Sequence, residues 1–243
     1  MSEQWIVGID GCPGGWVAIA QVEEQVDERG STSTVRALVA PRLDDLLGKF
    51  ADLRRVGIDM PIGLSDDEPR ACDREARGLL GARGSSVFPA PLRPALAATT
   101  HAEASSLSRQ SGGKGVSAQA WNLFAKVREL DELLSRDLAW RERVVEVHPE
   151  LSFLAMNRGE PLPASKHRIE GIYRRRALIA EAFGSPAIDS AVTQLAGTRV
   201  KEDDMLDAFA VLWSARRHAA GAGACLPSDP PRDACGLPMR IVY

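Results

Sequence analysis

The sequence predicts an α/β fold built on a mixed β-sheet, and three observations point there. Apolar runs rich in β-branched residues recur at 4–9, 15–22, 35–40 and 55–60, each bounded by turn residues. A stretch with apolar residues at helical spacing separates the third run from the fourth. A further apolar run at 143–147 (RVVEV) returns to strand character after a long interval of helices and loops.

The first two runs flank the turn Gly11-Cys12-Pro13-Gly14-Gly15 and read as a hairpin. The polar stretch 23–34 (EEQVDERGSTST) reads as a loop, and 35–40 as a third strand. Leu43, Leu46, Leu47, Phe50 and Leu53 then follow i, i+3, i+4, i+7 spacing, which predicts an amphipathic helix. Residues 55–60 form a short strand stopped by Pro61 and Gly63. The order β-β-β-α-β, an antiparallel trio followed by a helical crossover, places the fourth strand beside the first.

Residues 64–140 depart from that rhythm. A charged helix over about 67–80 leads into the Pro- and Ser-rich loop 85–94 and the polar, Gly-rich segment 108–115. A helix with Val116, Ala120, Leu123, Phe124, Val127, Leu130 and Leu134 on one face follows. With no obvious core of its own, the segment reads as an insertion or lid in a single domain over 1–243. The strand 143–147 stops at His148-Pro149-Glu150. A basic helix over 166–183, an apolar-faced helix over 203–218 and a short terminal strand at 240–243 complete the chain.

The totals narrow the function classes. A chain of 243 residues with 44% hydrophobic and 26% charged residues is ordinary for a globular protein with a sizeable core. A net charge of −3 excludes a protein that coats nucleic acid by bulk charge. Cys12, Cys72, Cys225 and Cys235 lack zinc-type spacing, which predicts reduced thiols. No stretch approaches the roughly 18 apolar residues of a membrane span, and no signal peptide is visible. The expected compartment is the cytoplasm.

Carboxylates carry the functional expectation. Asp10 closes the first strand before a Gly-rich turn, Asp59 closes the fourth, and Asp204 and Asp207 open the late helix. Singly, each has a structural reading as a turn former or helix cap. Together they predict a site for Mg²⁺ or Mn²⁺, because hard divalent cations take oxygen ligands and like charges converge only when neutralised. Adjacent strand ends lie about 5 Å apart, so Asp10 and Asp59 can share an ion. Against the apolar stripe 206/209/210/213, Asp207 lies at the buried margin and Asp204 further out. Two ions about 4 Å apart activate water and stabilise a leaving oxygen in phosphodiester cleavage.

The segments Gly8-Ile9-Asp10-Gly11-Cys12-Pro13-Gly14-Gly15-Trp16, Gly57-Ile58-Asp59-Met60-Pro61-Ile62-Gly63-Leu64, Ser86-Val87-Phe88-Pro89-Ala90-Pro91, Glu146-Val147-His148-Pro149-Glu150 and Asp203-Asp204-Met205-Leu206-Asp207-Ala208 resemble the domain of unknown function 429 family. The resemblance spans essentially the whole chain. It implies a ribonuclease H-like fold, a five-stranded mixed sheet flanked by helices, and a nuclease that binds metal through Asp10, Asp59 and Asp207. Asp204 matches an extra acid of junction resolvases of that superfamily. Glu146, between Val145 and Val147, is the further catalytic candidate, orienting water or pointing to solvent.

Arg93, Lys166 and His148 are candidate substrate-binding residues, the first two as grips for a phosphate. Arg174–Arg176 and Arg216-Arg217-His218 are a candidate phosphate-facing patch, with a solvated helix face as the structural reading. The expected partner is nucleic acid or a phosphorylated small molecule. Two competing readings remain open. One is a phosphotransferase of the actin/sugar-kinase type, against which Gly11–Gly15 carries no Ser or Thr. The other is a non-catalytic binding module.

Overall fold

A computed structural model describes residues 4–22 and 35–243; the loop expected over 23–34 lies outside the described residues. In chain order the strands of the main sheet are β1 (Trp5–Cys12), β2 (Gly15–Val22), β3 (Arg36–Ala40), β4 (Leu53–Ile58) and β5 (Val144–Glu146). The helices begin with α1 (Leu43–Leu47), α2 (Ala71–Leu80), α3 (His101–Gln110) and α4 (Ala118–Arg136). Then come α5 (Leu138–Arg143), α6 (Pro149–Met156), α7 (Ile169–Phe183), α8 (Ser185–Gln194) and α9 (Glu202–Ala219).

The chain divides into two compact units, Met1–Asp59 with Arg143–Gly223 and Val242–Tyr243, and Met60–Glu142 with Ala224–Ile241. The first holds a five-stranded mixed sheet in the order β3-β2-β1-β4-β5. β1 runs antiparallel to β2 and parallel to β4, β2 antiparallel to β3, and β4 parallel to β5. The expected hairpin and the placement of the fourth strand beside the first both hold. Gly14, at φ 88°, turns the hairpin in a backbone region that other residues rarely adopt.

The expected helix over 43–53 is shorter. It ends at Gly48, and Leu53 is the first residue of β4. Phe50 is buried without being helical, so apolar residues of a turn and a strand mimic helical spacing here. Strand 143–147 is confined to β5, with Val147 bridging Val242 in the terminal strand Ile241–Val242. α6 and α8 are helices that no periodic apolar pattern announces. α8 supplies Ala187, Ile188 and Ala191 to the core.

One face of the sheet is covered by α9. Ile6, Val17, Ile19 and Ala37 pack there with Leu178 of α7, Ile188 of α8, and Leu206, Phe209 and Leu212 of α9. The contact is close enough to require glycine. A Cβ on Gly8 would lie 2.2 Å from the Leu212 nitrogen and 2.3 Å from the Ala208 oxygen, both backbone atoms. Gly8→Ala therefore has to push α9 off β1. The expected loss is about 3 kcal/mol, at the upper end for overpacking, measured by urea unfolding. An unchanged midpoint would contradict the packing described.

The second unit has an apolar cluster of its own, Ala95, Ala98, Ala104 and Phe124, backed by Leu107, Val116 and Trp121. α4 buries Phe124, Val127, Leu130 and Leu134 as its periodicity predicts, whereas Ala120 and Leu123 are only half-buried. α3 arises in a stretch left without an element between the loop 85–94 and the polar segment 108–115, capped by Thr100 accepting from the Glu103 N–H. The four cysteines are free thiols. Among the described residues no helix is long and apolar enough to cross a membrane.

Candidate functional site

The site forms where β1 and β4 end under the start of α9. The ladder between the two strands continues one step past β4, with the Asp59 N–H donating to the Ile9 carbonyl at 2.9 Å. Side chains alternate along a strand, so Asp10 shares the face of Gly8, and Asp59 that of Gly57. Gly57, like Gly8, abuts α9. Both aspartates are thus turned to the helix that carries Asp207. Register decides this, since a slip by one residue would send either acid to the opposite face.

Asp10 and Asp207 are buried at 7% and 3% exposure, and Asp59 is half-buried. Burial pushes the Asp10 carboxyl well above the usual range, and the charges of Asp59 and Asp207 push it further. Burial raises Asp59 to about 7, against the pull of the Lys166 ammonium. It raises Asp207 to about 6, again opposed by Lys166, with the charge of Asp59 adding to the rise. The three acids therefore lie close enough to work against one another's ionisation.

Lys166 answers that charge. Its Nζ lies 2.6 Å from Asp207 Oδ2, as a hydrogen bond, and 3.9 Å from Asp203 Oδ2. Burial alone would lower the ammonium, but Asp207, Asp10 and Asp59 together raise it. Instead of standing open for a phosphate, as expected from sequence, Lys166 is the cation held by the acid cluster. Asp203 joins Asp207 in holding it, one helical turn apart on α9, a pairing the sequence did not reveal.

The remaining candidates fall into different places. Asp204 sits at the start of α9, where its carboxylate accepts the Lys201 N–H at 3.1 Å. Burial raises it, and its charge bears on Asp10. It is an outlying member of the cluster that also caps the helix. Glu146 pairs with Ile58, which pairs with Ile9, so it lies on the sheet face opposite Asp10 and Asp59. It is buried rather than pointing to solvent. His148 caps α6, its Nδ1 accepting the Glu150 N–H at 3.2 Å. Arg93 belongs to the second unit, where it forks onto Asp131 at 3.1 Å and reaches Asp233 at 2.5 Å. Its guanidinium is occupied holding that unit together.

The expected arginine patch is also dispersed. Arg175 is fully buried and pairs with Glu150 at 2.5 Å, Arg174 binds Asn157, and Arg176 binds Asp189 and Glu202. Glu150 is the residue sequence reasoning passed over. Its charge raises both Asp59 and Asp207, and in the sequence only its place in the motif Glu146-Val147-His148-Pro149-Glu150 marks it.

The chain matches, over residues 8–232, the family described as Protein of unknown function (DUF429). It is a member of the DUF429 family. No curated protein and no solved structure matches the chain. The stretch of this DUF429 protein that matches contains every member of the cluster, from Asp10 to Asp207.

The donor set suits a hard cation, because Asp10, Asp59 and Asp207 offer only carboxylate oxygens and carry excess negative charge. As placed, among the described residues no three His, Cys, Asp or Glu side chains are arranged around one ion. The cation in their midst is the ammonium. The residues fit a divalent ion in chemistry and charge, provided Lys166 withdraws from Asp207.

Proposed function

We propose that this protein is a metal-dependent hydrolase of phosphodiester bonds, a nuclease of ribonuclease H-like type. Mg²⁺ or Mn²⁺ would be held by Asp10, Asp59 and Asp207. The observation that carries the reading is the meeting of three mutually repelling aspartates, from two adjacent strand ends and a helix start, around a cation. Such an arrangement is unfavourable without a neutralising partner and has a use when the partner is a catalytic ion.

A divalent ion bound there supplies Lewis-acid polarisation of a phosphate and a more acidic water. The chain's own residues do the rest. Asp10 and Asp59 would hold the ion as carboxylates, releasing the protons that burial favours, and the Gly11 N–H, donating to Asp10 Oδ1 at 2.6 Å, fixes the first carboxylate. Asp204, half-buried at the start of α9, would orient a water. The buried Glu150–Arg175 pair brings a further carboxylate whose charge bears on Asp59 and Asp207. Lys166, once free of Asp207, becomes a partner for the substrate phosphate.

The substrate class is nucleic acid or a phosphorylated small molecule, and the free thiols suit a reducing cytoplasm. One observation favours a second reading, a non-catalytic module. The Lys166–Asp207 ion pair already neutralises part of the cluster. Calorimetric titration with Mn²⁺, paired with a panel of single-stranded, duplex and junction substrates, separates the two. Binding with cleavage supports the hydrolase; no Mn²⁺ binding together with no cleavage supports the module.

A further inference from the structure

A cavity of about 430 Å³ lies within the second unit, lined by Arg141, Arg232 and Arg240, with Glu142, Leu138 and Pro238 among its walls. None of the three arginines forms an ion pair among the described residues. Two are oriented by neutral carbonyls instead. Arg141 donates through Nε to Leu134 O at 2.6 Å and through Nη1 to Cys235 O at 3.1 Å. Arg232 Nη1 donates to Gly236 O at 2.6 Å. Carbonyls fix a guanidinium without cancelling its charge, and each arginine keeps N–H groups uncommitted, since the fork carries five. Arg240 makes no hydrogen bond among the described residues.

The wall is built rather than incidental. Asp233 Oδ1 accepts the N–H groups of Cys235 and Leu237 at 2.9 and 2.8 Å, and its Oδ2 accepts from Leu64 N–H and Arg93. That carboxylate shapes the loop that displays Arg232 and Arg240, yet its charge is taken up by Arg93. Three guanidiniums against the single carboxylate of Glu142 leave an excess of two positive charges in one space. A phosphate monoester carries close to two negative charges at neutral pH and offers the oxygens that arginine forks bind in pairs. The volume falls within the range of small-ligand sites, and Leu138, 68% exposed, with Pro238 gives an apolar surface for an organic body.

We propose that this cavity binds an organic phosphate monoester of nucleotide size, through Arg141, Arg232 and Arg240. The source is either a free nucleotide or the phosphorylated end of a strand. The test is calorimetric titration of the full chain in EDTA, so that its outcome is separate from the acid cluster's metal chemistry. The probes are adenosine, adenosine 5′-monophosphate, and one short single strand with and without a 5′-phosphate. The monophosphate or the phosphorylated strand should bind and its unphosphorylated counterpart should not; which of the two binds names the source. Arg240→Gln should weaken binding about tenfold, the loss of one charge-assisted hydrogen bond, with an unchanged Tm. Arg232→Gln serves as the second variant. Binding by neither phosphate compound, equal binding of adenosine, or affinity indifferent to both variants would overturn the proposal.

Discussion

Asp10→Asn should reduce metal-dependent phosphodiester cleavage by roughly a thousandfold, as expected when about 4 kcal/mol of transition-state stabilisation is lost. The same substitution should make the metal-free protein more stable at pH 8. The reason lies in the sign of the shifts. A carboxyl whose folded pKa is raised contributes stability fully present below its unfolded value, near 4, and lost as pH rises through the folded value. For Asp207 and Asp59 those folded values are about 6 and about 7, with Asp10 raised beside them. In EDTA, these groups should raise the Tm of the wild-type protein as pH falls from 8 toward 5. Asp10→Asn removes one of the repelling charges and should flatten that dependence. Loss of turnover accompanied by loss of stability would mean that Asp10 is a structural residue. Scanning calorimetry across pH, with and without Mn²⁺, reads both effects.

Lys166→Met should have the opposite effect on the metal-free protein. With the ammonium gone, Asp207 and Asp203 lose their partner and Asp10 and Asp59 lose a compensating charge. Breaking a fully buried pair costs about 3–5 kcal/mol. Lys166 is 32% exposed, so solvent screening brings the expected loss to about 2 kcal/mol, or roughly 4–8 °C in Tm for a chain of this size. The loss should be greatest near pH 8 and fade toward pH 5, where the aspartates take up protons instead. Divalent ions no longer compete with the tethered ammonium, so Mn²⁺ should bind Lys166→Met more tightly than wild type. An unchanged Tm with unchanged Mn²⁺ affinity would show that Lys166 is not the resident cation.

Much of the sheet was legible because its strands are apolar runs with clear turn punctuation. The Gly11–Gly15 turn and the Pro61 stop place Asp10 and Asp59 at strand ends without any tertiary knowledge. Asp207 was legible from its position at the margin of an apolar helical stripe. What escaped depends on register or on the path of the chain. Glu146 reads as a candidate for orienting water or as a solvent-facing residue, and only the pairing with Ile58 shows its sheet face. α3 has no apolar stripe to announce it, because Ser and Ala make up half of His101–Gln110 and its start signal is the capping Thr100. The pairing of Lys166 with Asp207 spans 41 residues, and that of Glu150 with Arg175 spans 25, distances over which periodicity says nothing. Arg93 resembled a phosphate grip because its two carboxylate partners lie at Asp131 and Asp233, far along the sequence.

The most direct measurement is a crystal structure of the protein grown with Mn²⁺, with data collected at the manganese edge. Anomalous peaks within coordinating distance of Asp10 and Asp207, together with Lys166 Nζ drawn away from Asp207 Oδ2, are the predicted result. Lys166 still hydrogen-bonded to Asp207 and no manganese touching either aspartate would contradict the account.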